Sequence, residues 1–374
     1  MRSVDTVVVG AGHAGLAVSR LLTAAGREHV LLERGEVAHS WRTQRWDSLR
    51  LLTPAWLTRL PGHAYDGPDP NGFLSTAEVV AHLTDYAHLS AAPVQEHATV
   101  LSVRRGGDRY RVVSDAGTWL ARHVVVASGH ATRPALPSFA AGVPAHVQQL
   151  SPLTYRNPAG VAPGRVLVVG ASASGVQIAD ELAATGREVT LAVGSHTRLP
   201  RRYRGHDILW WLDRAGQLDR TIDEMPDPEA ARRQPSMQLV GRGDGRAVDL
   251  AALAAAGIRL TGRVVDVDDG TVQVADDLAL TVADADRRMY ALLDRIDAHA
   301  HRTRAAASSV GHPHRPRRLR SLAASGRHHP WQLRREGFGA VVWATGLRGD
   351  YSYLHVPGVE YAGGLRQYRG ATPA

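Results

Sequence analysis

The opening of the chain alternates between apolar runs and glycine stops in the order strand, turn, helix, strand. Val4–Val9 is a short β-branched run of the kind that forms a buried strand. It passes into Gly10-Ala11-Gly12-His13-Ala14-Gly15, and apolar residues then recur at helical spacing through Leu22. Gly26 ends that helix, and His29–Leu32 forms the next strand, stopping at Glu33. The same order returns 160 residues later. Arg165–Val169 reads as a strand, Gly170–Gly175 as the turn, Val176–Ala184 as a helix closed by Gly186, and Glu188–Val193 as the second strand. The two units align without a gap, Gly10 on Gly170 and Glu33 on Val193. A duplicated β-α-β unit predicts an α/β fold with two Rossmann-like dinucleotide-binding domains.

Two further apolar runs end on glycine: His123–Ala127 before Ser128-Gly129, and Ala340–Ala344 before Thr345-Gly346. Each marks a place where the chain changes domain, and Pro134, Pro137 and Pro144 mark a linker. On this punctuation residues 1–150 form the first part of one domain and 336–374 its second part. Residues 151–300 form a second domain inserted in the first. Residues 301–335 mix Arg, His, Pro and Ser with little periodicity and read as a basic loop of poor order.

Composition removes several classes of function. The 374 residues hold no cysteine, which leaves no disulfide framework, no thiolate zinc site and no redox dithiol. The amino terminus has no signal-peptide pattern, since Asp5 and the glycines interrupt its apolar stretch. No run approaches the ~20 apolar residues of a membrane span. A cytoplasmic protein without a membrane partner is the expectation. The formal charge is +8, but nine arginines and no acid fall in Ala298–Arg335. Elsewhere arginines and acids nearly balance, so the basic character belongs to one segment. That segment has a single aromatic, Trp331, and no recognised nucleic-acid fold, so no nucleic-acid partner is expected. Its six histidines lack supporting acids or helical spacing, and no metal site is expected.

The turns carry the chemistry. In the first, Gly10 permits the tight turn, Gly12 lets the backbone approach a pyrophosphate, and Gly15 lets helix pack on strand. The helix start at His13 and Ala14 offers unpaired N–H groups to phosphate. Glu33, followed by Arg34, stands where an acid accepts hydrogen bonds from ribose hydroxyls. The second turn keeps Gly170 and Gly175 and has Ser172 and Ser174 between them. Val193 takes the place of the acid, and His196, Arg198, Arg201 and Arg202 follow. An acid there would repel a 2′-phosphate, whereas arginine grips one through paired hydrogen bonds. This predicts FAD in the first site and NADPH in the second, with Arg198 the leading phosphate ligand because it lies closest to the strand end.

Several segments resemble the flavin-dependent monooxygenases, in particular the bacterial proteins related to the plant YUCCA enzymes. They are Ser40-Trp41-Arg42, Arg45-Trp46-Asp47-Ser48-Leu49-Arg50, Leu52-Thr53-Pro54, Tyr155-Arg156-Asn157-Pro158, Pro200–Gly205, Trp210-Trp211-Leu212 and Trp343–Gly346. The resemblance implies class B chemistry, in which NADPH reduces FAD, O₂ adds to form a peroxyflavin, and NADP⁺ stays bound to shield it. It implies that Trp41, Arg42 and Trp46 lie along the flavin, and that Ala344, Thr345 and Gly346 sit at the domain junction. Val100 and Ala127-Ser128-Gly129 join the FAD set. From the residues alone, Trp41 and Trp46 are equally readable as core aromatics and Arg42 as a surface arginine. The partners implied are a small lipophilic substrate, or one with a soft N or S centre, and O₂. Dimers are common among similar proteins.

This sequence departs from that pattern in two ways. The monooxygenase fingerprint has a histidine four residues before an aromatic; here Tyr155 is present and Ser151 stands in the histidine's place. The family also continues beyond the position of Ala374 with a strand and a Gly-Asp helix start over the flavin. On that pattern the flavin half of the site is expected to lack part of its wall. Two alternatives to oxygenation therefore stand: an NADPH oxidase or reductase that makes peroxide, and a degenerate nucleotide-binding protein without turnover.

Overall fold

The computed structural model describes residues 1–303, 315–316, 330–359, 365 and 371. The chain divides into two compact units. The first comprises Met1–Leu49, Ala55–Ala135 and Gly346–Ala374; the second comprises Arg50–Pro54 and Leu136–Thr345.

The sheet of the first unit has seven strands. Its centre is Arg2–Val9, parallel to His29–Leu32 on one side and to Gly117–Val126 on the other. Val94–Gln95 extends the parallel part beyond His29–Leu32. Val100–Gly106 and Arg109–Ser114 form an antiparallel meander with Gly117–Val126. Leu354–His355 adds a last strand parallel to Val103–Arg104. The helix His13–Ala24 buries Gly15, Leu16 and Ser19. A second helix, Thr76–Leu89, starts at a reciprocal cap in which the Ser75 hydroxyl and the Glu78 carboxylate satisfy each other's backbone N–H. Val7, Leu32, Val112, Trp119 and Ala121 are buried in one apolar cluster, each large aliphatic contributing about 1.5–3 kcal/mol.

The second unit is built on five parallel strands in the order Gln148–Leu150, Phe338–Trp343, Arg165–Val169, Val189–Ala192 and Arg259–Thr261. The helix Ala173–Ala184 follows Arg165–Val169 as His13–Ala24 follows the first strand of the chain. Val264–Asp268, Thr271–Val274 and Trp331–Gln332 make a small antiparallel sheet. Its residues Val267, Val272 and Trp331 share an apolar cluster with Leu167, Val341 and Trp343. The helix Leu278–Arg302 buries one face, including Val282, Ala285, Met289, Leu293 and Ile296.

The duplicated α/β fold is as the hydrophobic pattern predicts. The boundaries differ from the punctuation at 150, 300 and 336. Gln148–Leu150 and Phe338–Trp343 are strands of the second unit because both pair in parallel with its sheet. The basic segment is also not loop at its ends. Ala298–Arg302 is the last turn of a helix whose buried stripe continues to Ala300. Trp331 and Leu333 are apolar enough to be drawn into the core. Most of 301–335 lies outside the described residues. No helix among the described residues is long and apolar enough to cross a membrane.

Candidate functional site

The three glycines of the first turn answer to different demands. Gly10 has φ +105°, and a Cβ on it would stand 2.6 Å from the Ala127 carbonyl oxygen. A Cβ on Gly15 would stand 1.9 Å from the Gly10 carbonyl oxygen, so only glycine lets this helix approach the turn. Gly12 is different: a Cβ there meets nothing within 4 Å. Its absence of side chain leaves open space over the helix start, where no side chain caps the N–H groups. That is the cradle a phosphate needs.

Glu33 closes the same site. It is buried, and its Oε2 accepts a hydrogen bond from the Ala11 N–H at 2.7 Å. The turn and the acid border a cavity of about 670 Å³, in the size range of nucleotide and cofactor sites. Of the residues assigned to this site, Gly10, Gly12, His13, Ala14, Glu33, Arg34, Trp41, Val100, Ala127, Ser128 and Gly129 line the cavity. The Arg45 guanidinium lies 5.0 Å from the centre of the Trp41 ring and covers one of its faces. Burial pushes the His13 imidazole below its ordinary pKa, so the neutral ring faces the cavity.

Three assigned residues are not on the cavity wall: Gly15, which packs under the Gly10 carbonyl, Trp46 and Arg42. Trp46 is buried elsewhere, as the core-aromatic alternative has it. Arg42 donates to the Val37 carbonyl at 3.0 Å and to the Thr84 hydroxyl at 3.2 Å, and pairs with Glu36. The wall also holds residues that sequence reasoning missed, notably Thr99, Arg133, Asp350 and Tyr353. None of them adjoins a strand end that the sequence pattern marked, so the local pattern held no signal for them.

The second turn repeats the first in detail. Gly170 has φ +108°, and a Cβ on it would stand 2.4 Å from the Ala344 carbonyl oxygen. A Cβ on Gly175 would stand 1.8 Å from the Gly170 carbonyl oxygen. Ala344 therefore stands to Gly170 as Ala127 stands to Gly10. The run Ala344-Thr345 is part of the second turn's own surroundings, because the strand before it is a neighbour in that sheet. Ser172 occupies the N-cap position with extended backbone and no side-chain cap bond, and Ser174 lies in the first turn of the helix. Gln238 supports the turn, its Nε2 donating to the Ala171 carbonyl at 2.7 Å.

The basic group after this strand separates in the fold. His196 is fully buried, with Nδ1 2.9 Å from the Gly194 carbonyl, and burial holds its pKa low. Arg198 is 4% exposed and divides its guanidinium between Asp286 at 2.6 Å and Asp249 at 2.9 Å. Arg201 is equally buried and pairs with Asp207 at 2.6 Å. Arg202 alone of the four is exposed. The expectation that Arg198 leads in phosphate binding is thus at odds with its position. Acids from distant helices reach it first, and their charge satisfies its own.

Comparison with known proteins places this arrangement. A family model described as pyridine nucleotide-disulphide oxidoreductase matches residues 7–209, and the chain belongs to that family. An uncharacterized CzcO-like oxidoreductase of Geobacillus kaustophilus is 37% identical over 218 residues, covering 58% of this chain and 62% of that protein. Indole-3-pyruvate monooxygenase YUCCA6 of Arabidopsis thaliana is 31% identical over 214 residues, covering 53% of this chain and 50% of that protein. The chain thus spans between half and two thirds of the length of these relatives. The flavin-containing monooxygenase from Stenotrophomonas maltophilia has the same fold, with a TM-score of 0.63 at 23% identity over 99% of this chain and 86% of that one. The resemblance to flavin monooxygenases carried by the motifs is borne out at the level of the family. Without cysteine, these residues cannot perform the dithiol chemistry in the family's name.

Proposed function

We propose that this chain is an FAD-dependent oxidoreductase that draws electrons from NADPH and oxygenates a small organic molecule with O₂. The observation that carries the reading is the contrast between two turns of matching geometry. One is closed by the buried carboxylate of Glu33 and the other by Val193. A carboxylate suits the two ribose hydroxyls of FAD and disfavours a 2′-phosphate; a valine leaves room for one.

When bound, FAD supplies hydride acceptance and O₂ activation. The residues of the first unit have the complementary tasks. The Gly10–Gly15 turn and the helix start bind the diphosphate. The Ala11 N–H fixes one oxygen of Glu33, which orients the carboxylate for the ribose. Trp41 contributes a flat apolar wall. In the second unit Gly170, Ser172, Ser174 and Gly175 bind the coenzyme diphosphate, and Arg202 is the exposed cation for the 2′-phosphate.

A second reading, an NADPH oxidase that releases peroxide, is favoured by Ser151. It replaces the fingerprint histidine, and its side chain is spent locally: it lies 3.4 Å from the Thr154 hydroxyl and accepts from the Leu153 N–H. One experiment separates these readings. The full chain is given FAD, its absorption spectrum is followed through NADPH addition under air, and product and peroxide are both measured. Oxygenation requires that NADPH consumption exceed peroxide release by the amount of product. Peroxide equal to NADPH consumed establishes the oxidase. No bound flavin spectrum at all would sink both.

A further inference from the structure

Tyr353 has a place on the cavity wall that the preceding reading leaves unused. It belongs to a segment tied to the framework of the first unit at several points. The Asp350 N–H donates to the Thr132 hydroxyl at 2.8 Å, and the Asp350 carboxylate pairs with Arg133 at 2.5 Å. The Val103 N–H donates to the Tyr353 carbonyl at 2.8 Å, and Leu354–His355 continue as a strand beside Val103 and Arg104. The tyrosine is therefore held by backbone on both sides, and its side chain packs against the apolar cluster of the sheet.

Its hydroxyl lies 2.9 Å from the Ser128 Oγ. Ser128 adjoins the first glycine turn, since a Cβ on Gly10 would stand 3.3 Å from the Ser128 Cα. Thus a phenol carried at the far end of the chain stands one hydroxyl away from the turn that receives a diphosphate. The two hydroxyls have no other hydrogen-bond partner among the described residues. Together they own two donor protons and use one between them, which leaves one to donate elsewhere. A phenol is the stronger acid and so the better donor to an anion; with its O–H donating to an anion, it accepts from the Ser128 hydroxyl in the bond between them. Burial pushes the Tyr353 phenol up to about 12, so it keeps its proton at neutral pH.

We propose that Tyr353 is a diphosphate-binding residue of the first unit, its phenol donating to a phosphate oxygen while it accepts from Ser128. The proposal rests on the reading of this unit as a dinucleotide site.

The test uses ADP and adenosine as probes, titrated into the full chain freed of flavin and followed by ligand-observed NMR. Losing a hydrogen bond to a charged group lowers affinity about tenfold or more. Tyr353→Phe is therefore expected to weaken ADP by at least about tenfold and adenosine by less than about twofold. Ser128→Ala keeps the donating phenol and is expected to cost ADP less than Tyr353→Phe does. Thermal unfolding of the ligand-free variants checks that each is folded. Unchanged ADP affinity in Tyr353→Phe overturns the proposal. So does an equal loss for adenosine, which would mean that the ring shapes the pocket without touching phosphate. A larger loss in Ser128→Ala overturns the choice of donor. Failure of the wild-type chain to bind ADP would instead defeat the dinucleotide reading, and the inference with it.

Discussion

Arg198 sits where water barely reaches, between two carboxylates. Asp286 is as buried as the arginine, with side-chain exposures of 7% and 5%, and Asp249 is partly exposed. Removing one partner of such a group leaves an uncompensated buried charge, which costs about 3–5 kcal/mol. Arg198→Ala should therefore lower the stability of the second unit by an amount of that order, measured by denaturant unfolding. Arg202→Ala, at an exposed position, should leave stability within about 0.5 kcal/mol. It should weaken NADPH about tenfold while NADH changes little. A stable Arg198→Ala variant that had lost only NADPH would reverse these assignments.

His82 carries a pH signature. Its Nε2 is buried without a hydrogen-bond partner among the described residues, and its ring stacks on His63 at 4.7 Å. Burial first, then the neighbouring His63 and His13, hold its pKa below 6.5; Asp66 and Asp85 pull weakly the other way. In the unfolded chain the imidazole takes up a proton near its ordinary pKa, and in the fold only at lower pH. Its stabilising contribution is thus complete above about 6.5 and is lost as pH falls below it. Melting temperature should drop between pH 7.5 and 5.5, and His82→Phe should flatten part of that drop. An unchanged slope in the variant would remove His82 from the account.

Among the elements, the helix Leu278–Arg302 shows how a polar sequence is held. Most of its large apolar residues fall on one buried face, while Arg302 occupies the last turn, where a cation complements the helix dipole. Asp286, on the same face, meets Arg198. Further along, Trp331 stacks on Phe338 at 5.6 Å within the apolar cluster of the second unit. The basic stretch thus has structural residues at both ends. Replacing residues 317–327 with a short Gly/Ser linker, which keeps the Arg315 pairs to Asp294 and Asp297, should leave the flavin spectrum and the unfolding midpoint unchanged. Trp331→Ala should cost about 3–5 kcal/mol, as other buried aromatic deletions do. A linker variant that lost its flavin would show that the replaced residues contribute to the site.

At the scale of the molecule, the proposed function gives two folds with matching turns separate duties. Each unit has its own sheet and its own glycine turn. Glu33→Ala should therefore weaken FAD, with loss of the ribose contact and of the Ala11 anchor, and leave NADPH binding nearly intact. Equilibrium dialysis against each nucleotide measures this. Loss of NADPH with FAD retained would mean that the order of the two sites is reversed.

What this sequence determined by itself is the set of local demands. Gly10 and Gly170 had to be glycine because their backbone turns through positive φ; Gly15 and Gly175 because a helix must touch the turn before it. Strand, turn and helix lie within a few residues of one another, so spacing and residue type were enough to place both glycine turns. The tertiary structure alone decided which charges and hydroxyls meet. Arg198 reaches Asp286 across 88 residues, and Ser128 reaches Tyr353 across 225. Along the chain Arg198 is simply the first arginine after a strand, and Tyr353 one tyrosine among ten. Buried charge must find its counter-charge wherever the packing brings one within reach, and a hydroxyl on a cavity wall finds the neighbour that strand order supplies. Packing and strand order are settled by the whole chain, which is why these pairings were not legible in the local pattern.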